Sequence, residues 1–61
     1  MLKMEVGDYI ANNKFHGVVI HKYLDISDRQ MYKVFWLGKV RWGLQIHFER
    51  YLILLDYKKR N

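Results

Sequence analysis

One stretch, YKVFWLGKVRW at residues 32–42, constrains the fold more than any other. It sets four aromatic rings and two valines among three positive charges in eleven positions. Aromatic and β-branched side chains suit a pleated, half-buried surface, and Gly38 divides the run, so the stretch reads as two strands of a hairpin. Its register follows from charge. A two-residue turn at Leu37-Gly38 would set Phe35 opposite Val40 and Lys33 opposite Trp42, mixing charge and apolar bulk on both faces. A three-residue turn sets Trp36 opposite Val40, Val34 opposite Trp42 and Tyr32 opposite Leu44. One face then holds only Tyr32, Val34, Trp36, Val40, Trp42 and Leu44. The other carries Lys33, Phe35 and Arg41, with Lys39 at the turn. A one-residue slip exchanges the faces, so a half-buried sheet selects the segregating register. The tryptophans are expected in the core and Phe35 outside it.

The rest of the chain must supply a partner for that apolar face. Sixty-one residues make one domain, and a domain of this size buries only about 60% of its unfolded surface. There is no cysteine, so neither a disulfide nor a thiolate metal site supports the fold. The ten aromatic residues compensate, because each large ring buries roughly 150–250 Å². Self-association is a further source of stability for small domains. VGDYIA at 6–11 and FHGVVIHKYL at 15–24 read as two more strands, with NNK at 12–14 a turn suited to asparagine. DISDRQ at 25–30 reads as a loop. The C-terminal third admits two readings. Leu44, Phe48, Tyr51, Leu52 and Leu55 fall on one helical stripe, which would make a C-terminal helix. Ile46, Ile53 and Leu54 lie off that stripe, and the preferred reading is a helical turn near QIHFER followed by a buried strand YLILL. The expected fold is all-β: residues 1–61 as one small five-stranded barrel with a short helical turn before the last strand, and 57–61 a basic tail.

The order Gly7-Asp8, GVV at 17–19, YKVFW at 32–36, Trp42 and YLILL at 51–55 resembles the Src-homology-3-like small barrels over about residues 5–56. Within that group the chain is similar to KOW and Tudor modules and to short proteins of tailed bacteriophages. The resemblance implies a binding module, contacting nucleic acid where it is KOW-like. The segment NNKFHG is shorter than the basic, glycine-rich loop that KOW domains carry before their second strand.

No phosphate-binding loop, dinucleotide fingerprint, nucleophile elbow or HExxH is present, and the expectation is a non-enzyme without cofactor. His16 and His21, five apart in one strand, would face opposite ways, which argues against a metal site. The longest apolar run, YLILL, is far short of a membrane span. No signal-like segment opens the sequence. A cytoplasmic protein is therefore expected, in the host cytoplasm if viral. Formal net charge is +5 with a pI near 9.7, although three of the basic residues fall in the final four positions. The candidate binding residues are Lys33, Phe35, Lys39 and Arg41, a ring among charges of the kind single-stranded nucleic-acid binders use. Lys58, Lys59 and Arg60 add salt-dependent attraction. Tyr9, Tyr23, Tyr32, Trp36 and Trp42 form a possible aromatic cage or, more simply, core. The leading expectation is contact with nucleic acid or a ribonucleoprotein machine such as a ribosome or RNA polymerase. The alternative is a protein-binding adaptor or inhibitor. An uncharged patch around Phe35 and Met31 would favour the second.

Overall fold

The computed structural model describes residues 4–38 and 43–60. Along the chain run β1 (Tyr9–Ala11), β2 (His16–Leu24), β3 (Gln30–Leu37), β4 (Leu44–Phe48), the helix α1 (Glu49–Leu54) and β5 (Lys58–Lys59). The five strands make one antiparallel sheet in the order β4-β3-β2-β1-β5. β4 and β5 are its two edges, so the hydrogen-bonded sheet does not close on itself.

The turns form for reasons written in single side chains. Between β1 and β2 the Asn12 side-chain carbonyl accepts the backbone N–H groups of Lys14 and Phe15, both at 2.8 Å. The same side chain donates to the carbonyl of Leu55 at 2.9 Å and so ties this turn to the end of α1. The asparagine thus works by hydrogen bonding rather than by a left-handed backbone. Between β2 and β3 the Asp25 carboxylate accepts the N–H groups of Ser27 and Arg29 and the Arg29 Nε–H, at 2.8–3.0 Å. These bonds, the Arg29 backbone N–H foremost, hold the Asp25 carboxyl below its usual range.

β3 behaves as its alternation requires. Tyr32, Val34 and Trp36 point inward and are buried, while Phe35 points out. They pack with Met4, Ile10, Val19, Leu52 and Tyr57, and Phe15 covers the flank. Gly17 lets β2 approach β3 closely: a Cβ there would stand 2.8 Å from the Phe35 carbonyl oxygen and from Val34 Cγ1, and 2.9 Å from the Trp36 ring. An irregularity between Val19 and His21 lets the nine-residue β2 turn its second half, as bulges do.

Three sequence expectations are corrected. The β3–β4 register differs from the tight hairpin: Tyr32 stands opposite His47, not Leu44, and Phe35 stands opposite Leu44. The longer connection brings His47 to the Trp36 indole and Glu49 to the Tyr32 hydroxyl. Two buried donors that a tight turn would leave without these partners are thereby satisfied. Lys39, Val40, Arg41 and Trp42, on which the expected hairpin also rested, lie outside the described residues. Second, QIHF is strand and the run ERYLIL is helix, the reverse of the preferred assignment. Within YLILL only Leu52 is buried. After it, Tyr57 N–H donates to the Leu52 carbonyl and Asp56 N–H to that of Ile53, with Asp56 at φ +61°. This is a Schellman stop, whose hydrophobic contact is Leu52 with Tyr57. Third, the basic end is not a free tail: Lys58 and Lys59 pair with Ala11 and Ile10 of β1, and Arg60 N–H donates to the Tyr9 carbonyl at 2.7 Å.

Two stability changes follow. Gly17→Ala should cost about 1–3 kcal/mol, the usual penalty for overpacking. Asp56→Gly should gain up to about 1 kcal/mol by relieving a left-handed non-glycine residue at the helix stop. Thermal or urea melts read both; a neutral Gly17→Ala would show that β2 and β3 can separate there without loss.

Candidate functional site

Residues opposite each other in an antiparallel pair share a face, so the β3 register maps the outer surface. Phe35 lies between Val18 of β2 and Leu44 of β4; Lys33 lies between His21 and Ile46; Met31 lies between Tyr23 and Phe48. Phe35, Leu44, Ile46 and Phe48 are 47%, 46%, 49% and 40% exposed. Four large apolar side chains on two adjacent strands thus form one open surface. Lys33 sits at its centre, half-buried. At the Phe48 end the Arg29 guanidinium lies 4.7 Å over the Phe48 ring. Beside it a groove of about 620 Å³ runs between Arg29, Arg50, Phe48 and the α1 side chains Ile53 and Leu54.

The inner side of β4 explains this inversion. Its alternation places Gln45 and His47 toward the core side and the apolar residues outward. His47 is held there: the Trp36 Nε1–H donates to its Nε2 at 3.1 Å. The Tyr51 ring stacks on its other side, 4.9 Å away and 8° from parallel. Tyr57 packs against Trp36 at 5.0 Å. Together with Phe15 these rings wall a cavity of about 430 Å³ between β4, α1 and the β1–β2 turn. Tyr32 lies deeper, its hydroxyl donating to Glu49 Oε2 at 2.8 Å. Burial first, and then the Glu49 carboxylate, push the Tyr32 phenol up to about 12.

Of the residues picked from sequence, Lys33 and Phe35 are brought together on the outer face. Lys58, Lys59 and Arg60 are not with them; β2 and β1 lie between β3 and β5 in the sheet. Lys59 Nζ stands 3.4 Å from the buried Asp8 carboxylate and Lys58 Nζ 4.0 Å from that of Asp56. Lys39 and Arg41 lie outside the described residues. Of the five rings named as a possible cage, Trp42 lies outside the described residues and the other four do not come together: Tyr32 and Trp36 are core, Tyr9 bonds His16 Nδ1, and Tyr23 stacks on His21 at 5.6 Å. His16 and His21, expected on opposite faces, pair with Leu37 and Lys33 and so share one, because the bulge shifts the alternation. Those partners are four positions apart on β3, about 13 Å, too far for a shared ion. Among the described residues no group of three or more metal-ligating side chains comes together, and no helix is long and apolar enough to cross a membrane. Leu44, Ile46 and Phe48 were missed from sequence. Their signal was the period-two alternation of LQIHF, masked because the same residues partly fit a helical stripe. No family model, curated protein or solved structure matches the chain.

Burial lowers the His47 pKa below the ordinary value of 6.5. The folded protein therefore binds fewer protons at this ring than the unfolded chain does. The stability so conferred is complete above pH 6.5 and is lost as pH falls through the folded pKa. Protonation at Nε2 would also set two N–H donors against each other. Melting temperature should fall between pH 7 and pH 5, and His47→Gln, which retains an acceptor for Trp36, should flatten that slope. An unchanged slope in the variant would assign the pH dependence to other groups.

Proposed function

We propose that this protein is a non-catalytic protein-binding module whose docking surface is the outer face of β3 and β4. The observation that carries the reading is the inverted β4, which turns Leu44, Ile46 and Phe48 outward beside Phe35. Antiparallel sheets ordinarily place the apolar side of a strand on the core, and a contiguous apolar patch on a small protein marks an interaction site. Full burial of such a side chain is worth roughly 1.5–3 kcal/mol. Four side chains left about half-exposed hold back on the order of 3–6 kcal/mol, which a partner could realise. Association itself costs about 4–15 kcal/mol, so a further attraction is required. Charge supplies part of it: among the described residues, the ionised side chains on and around this face are Lys33, Arg29 and Arg50, with Asp25 engaged by Arg29 and Glu49 by Tyr32. The fitting partner is apolar with acidic flanks.

The proposal takes the architecture to be a Src-homology-3-like small barrel of the KOW or Tudor kind. A short helix immediately before the last strand supports this, as does the register irregularity in β2 between Val19 and His21. Nucleic acid, first in the reading of the sequence, has less support, because both basic residues of β5, Lys58 and Lys59, are separated from Lys33 and face carboxylates.

A photoreactive residue at position 46, introduced in the full chain in its native host, tests the reading. It should capture a protein in a nuclease-resistant adduct that is absent when the same group is placed at position 13. Phe35→Ser should abolish the adduct while changing stability by less than about 1 kcal/mol. Capture of nucleic acid instead, or equal capture at both positions, would overturn the protein-docking surface.

A further inference from the structure

We propose that the β4 edge receives an extended segment of the partner protein as a sixth strand, apolar at alternate positions and acidic at the end beside Phe48. This rests on the outer face being a protein-docking surface and specifies how that surface is used.

The backbone pattern carries the inference. Trp36 N–H donates to the Gly43 carbonyl, and Trp36 is opposite Gly43 if the β3–β4 register is continued by one pair. Hydrogen-bonded and non-bonded pairs alternate along an antiparallel ladder. The pairs Val34–Gln45 and Tyr32–His47 are therefore the bonded ones. Phe35–Leu44 and Lys33–Ile46 are not. The N–H and C=O groups of Leu44 and Ile46 consequently point away from β3, toward the free edge. No hydrogen bond joins these groups to another described residue.

Natural edges are usually blunted by shortness, lysine, proline or charge. β5 is two residues long and both are lysines. β4, LQIHF, is five residues long and has none of these protections. An exposed edge with apolar side chains is a template for β-strand addition, in which main-chain bonds give affinity and alternate side chains give specificity. The residues whose backbone faces the edge, Leu44 and Ile46, are also those whose side chains lie on the open outer face. An added strand would lay alternate side chains beside them, and those must be apolar. At its Phe48 end it meets a cation, Arg50 in the adjoining groove, which pairs with no carboxylate among the described residues. Arg29, already bonded to Asp25, closes the same groove.

The experiment uses the isotope-labelled full chain and a synthetic nine-residue peptide of alternating valine and threonine between aspartates. Binding should slow amide exchange at Leu44 and Ile46 by at least about tenfold, as new ladder bonds do. Two further peptides are N-methylated on one or the other alternate set of residues. One should lose at least about tenfold in affinity and the other little, because only one set of amides faces β4. Replacing the aspartates by lysines should weaken binding by a similar factor. If the peptide shifts the Phe35 and Ile46 side-chain signals without slowing those two amides, side chains dock but no strand is added. Equal affinity of both methylated peptides, or no binding of the parent peptide, also overturns strand addition. Each of these results leaves the docking face to be judged by the cross-link at position 46, so the two failures are separable.

Discussion

The bond from the Trp36 indole to His47 sets the architecture of this small domain. Trp36 is buried in the core, and its one polar atom would be a costly orphan there without an acceptor. His47 provides that acceptor, and in doing so it fixes which way β4 faces. Because strand side chains alternate, a histidine directed inward forces Leu44, Ile46 and Phe48 outward. A single part-buried hydrogen bond thereby determines the character of a surface on the opposite side of the sheet. The ring stack of Tyr51 on His47 and the packing of Tyr57 on Trp36 extend the same constraint into α1 and the return to β5.

The arrangement is an instance of local preference yielding to tertiary demand. Exposing the apolar side of β4 forgoes burial that a chain this short can ill spare. The core nevertheless closes, because Leu52 and Tyr57 at the helix stop fill the space that the β4 side chains would otherwise occupy. The helix is short, with one buried residue and no side-chain cap at its start. Its stability comes from packing and from the Schellman stop rather than from propensity. Asn12, which bonds the Leu55 carbonyl across the fold, locks that stop to the β1–β2 turn.

Much of this was legible beforehand. The alternation of β3 told core from surface correctly, with Tyr32, Val34 and Trp36 inside and Phe35 out, because charge and bulk segregate cleanly there. The strands around Tyr9–Ala11 and His16–Leu24, and the turns between them, were also readable from β-branched runs and from Asn and Asp. The register of β4 was not. It depends on a contact between Trp36 and His47, eleven residues apart, and a sequence pattern carries no record of which buried donor needs which acceptor. The run YLILL was ambiguous for a different reason: five apolar residues fit a buried strand and a single helical turn equally well. The basic end misled because composition reports charge and not pairing, and its lysines take part in the sheet. The candidate site was half visible, as Lys33 and Phe35, but its larger part belonged to the misassigned strand.

The contrast between the two sheet edges makes this fold directional. A sheet with two open edges can propagate without limit, as fibres do. Here one side ends in the two lysines of β5, a blunted edge, so any extension would have to proceed from the β4 side. An occupant of β4 would use up the one unprotected edge among the described residues. Two copies meeting there would exhaust both open edges at once and stop at a closed pair. Under the proposed strand addition the domain would in this sense be monovalent. Among the described residues there is no second edge like β4 from which a chain could be built.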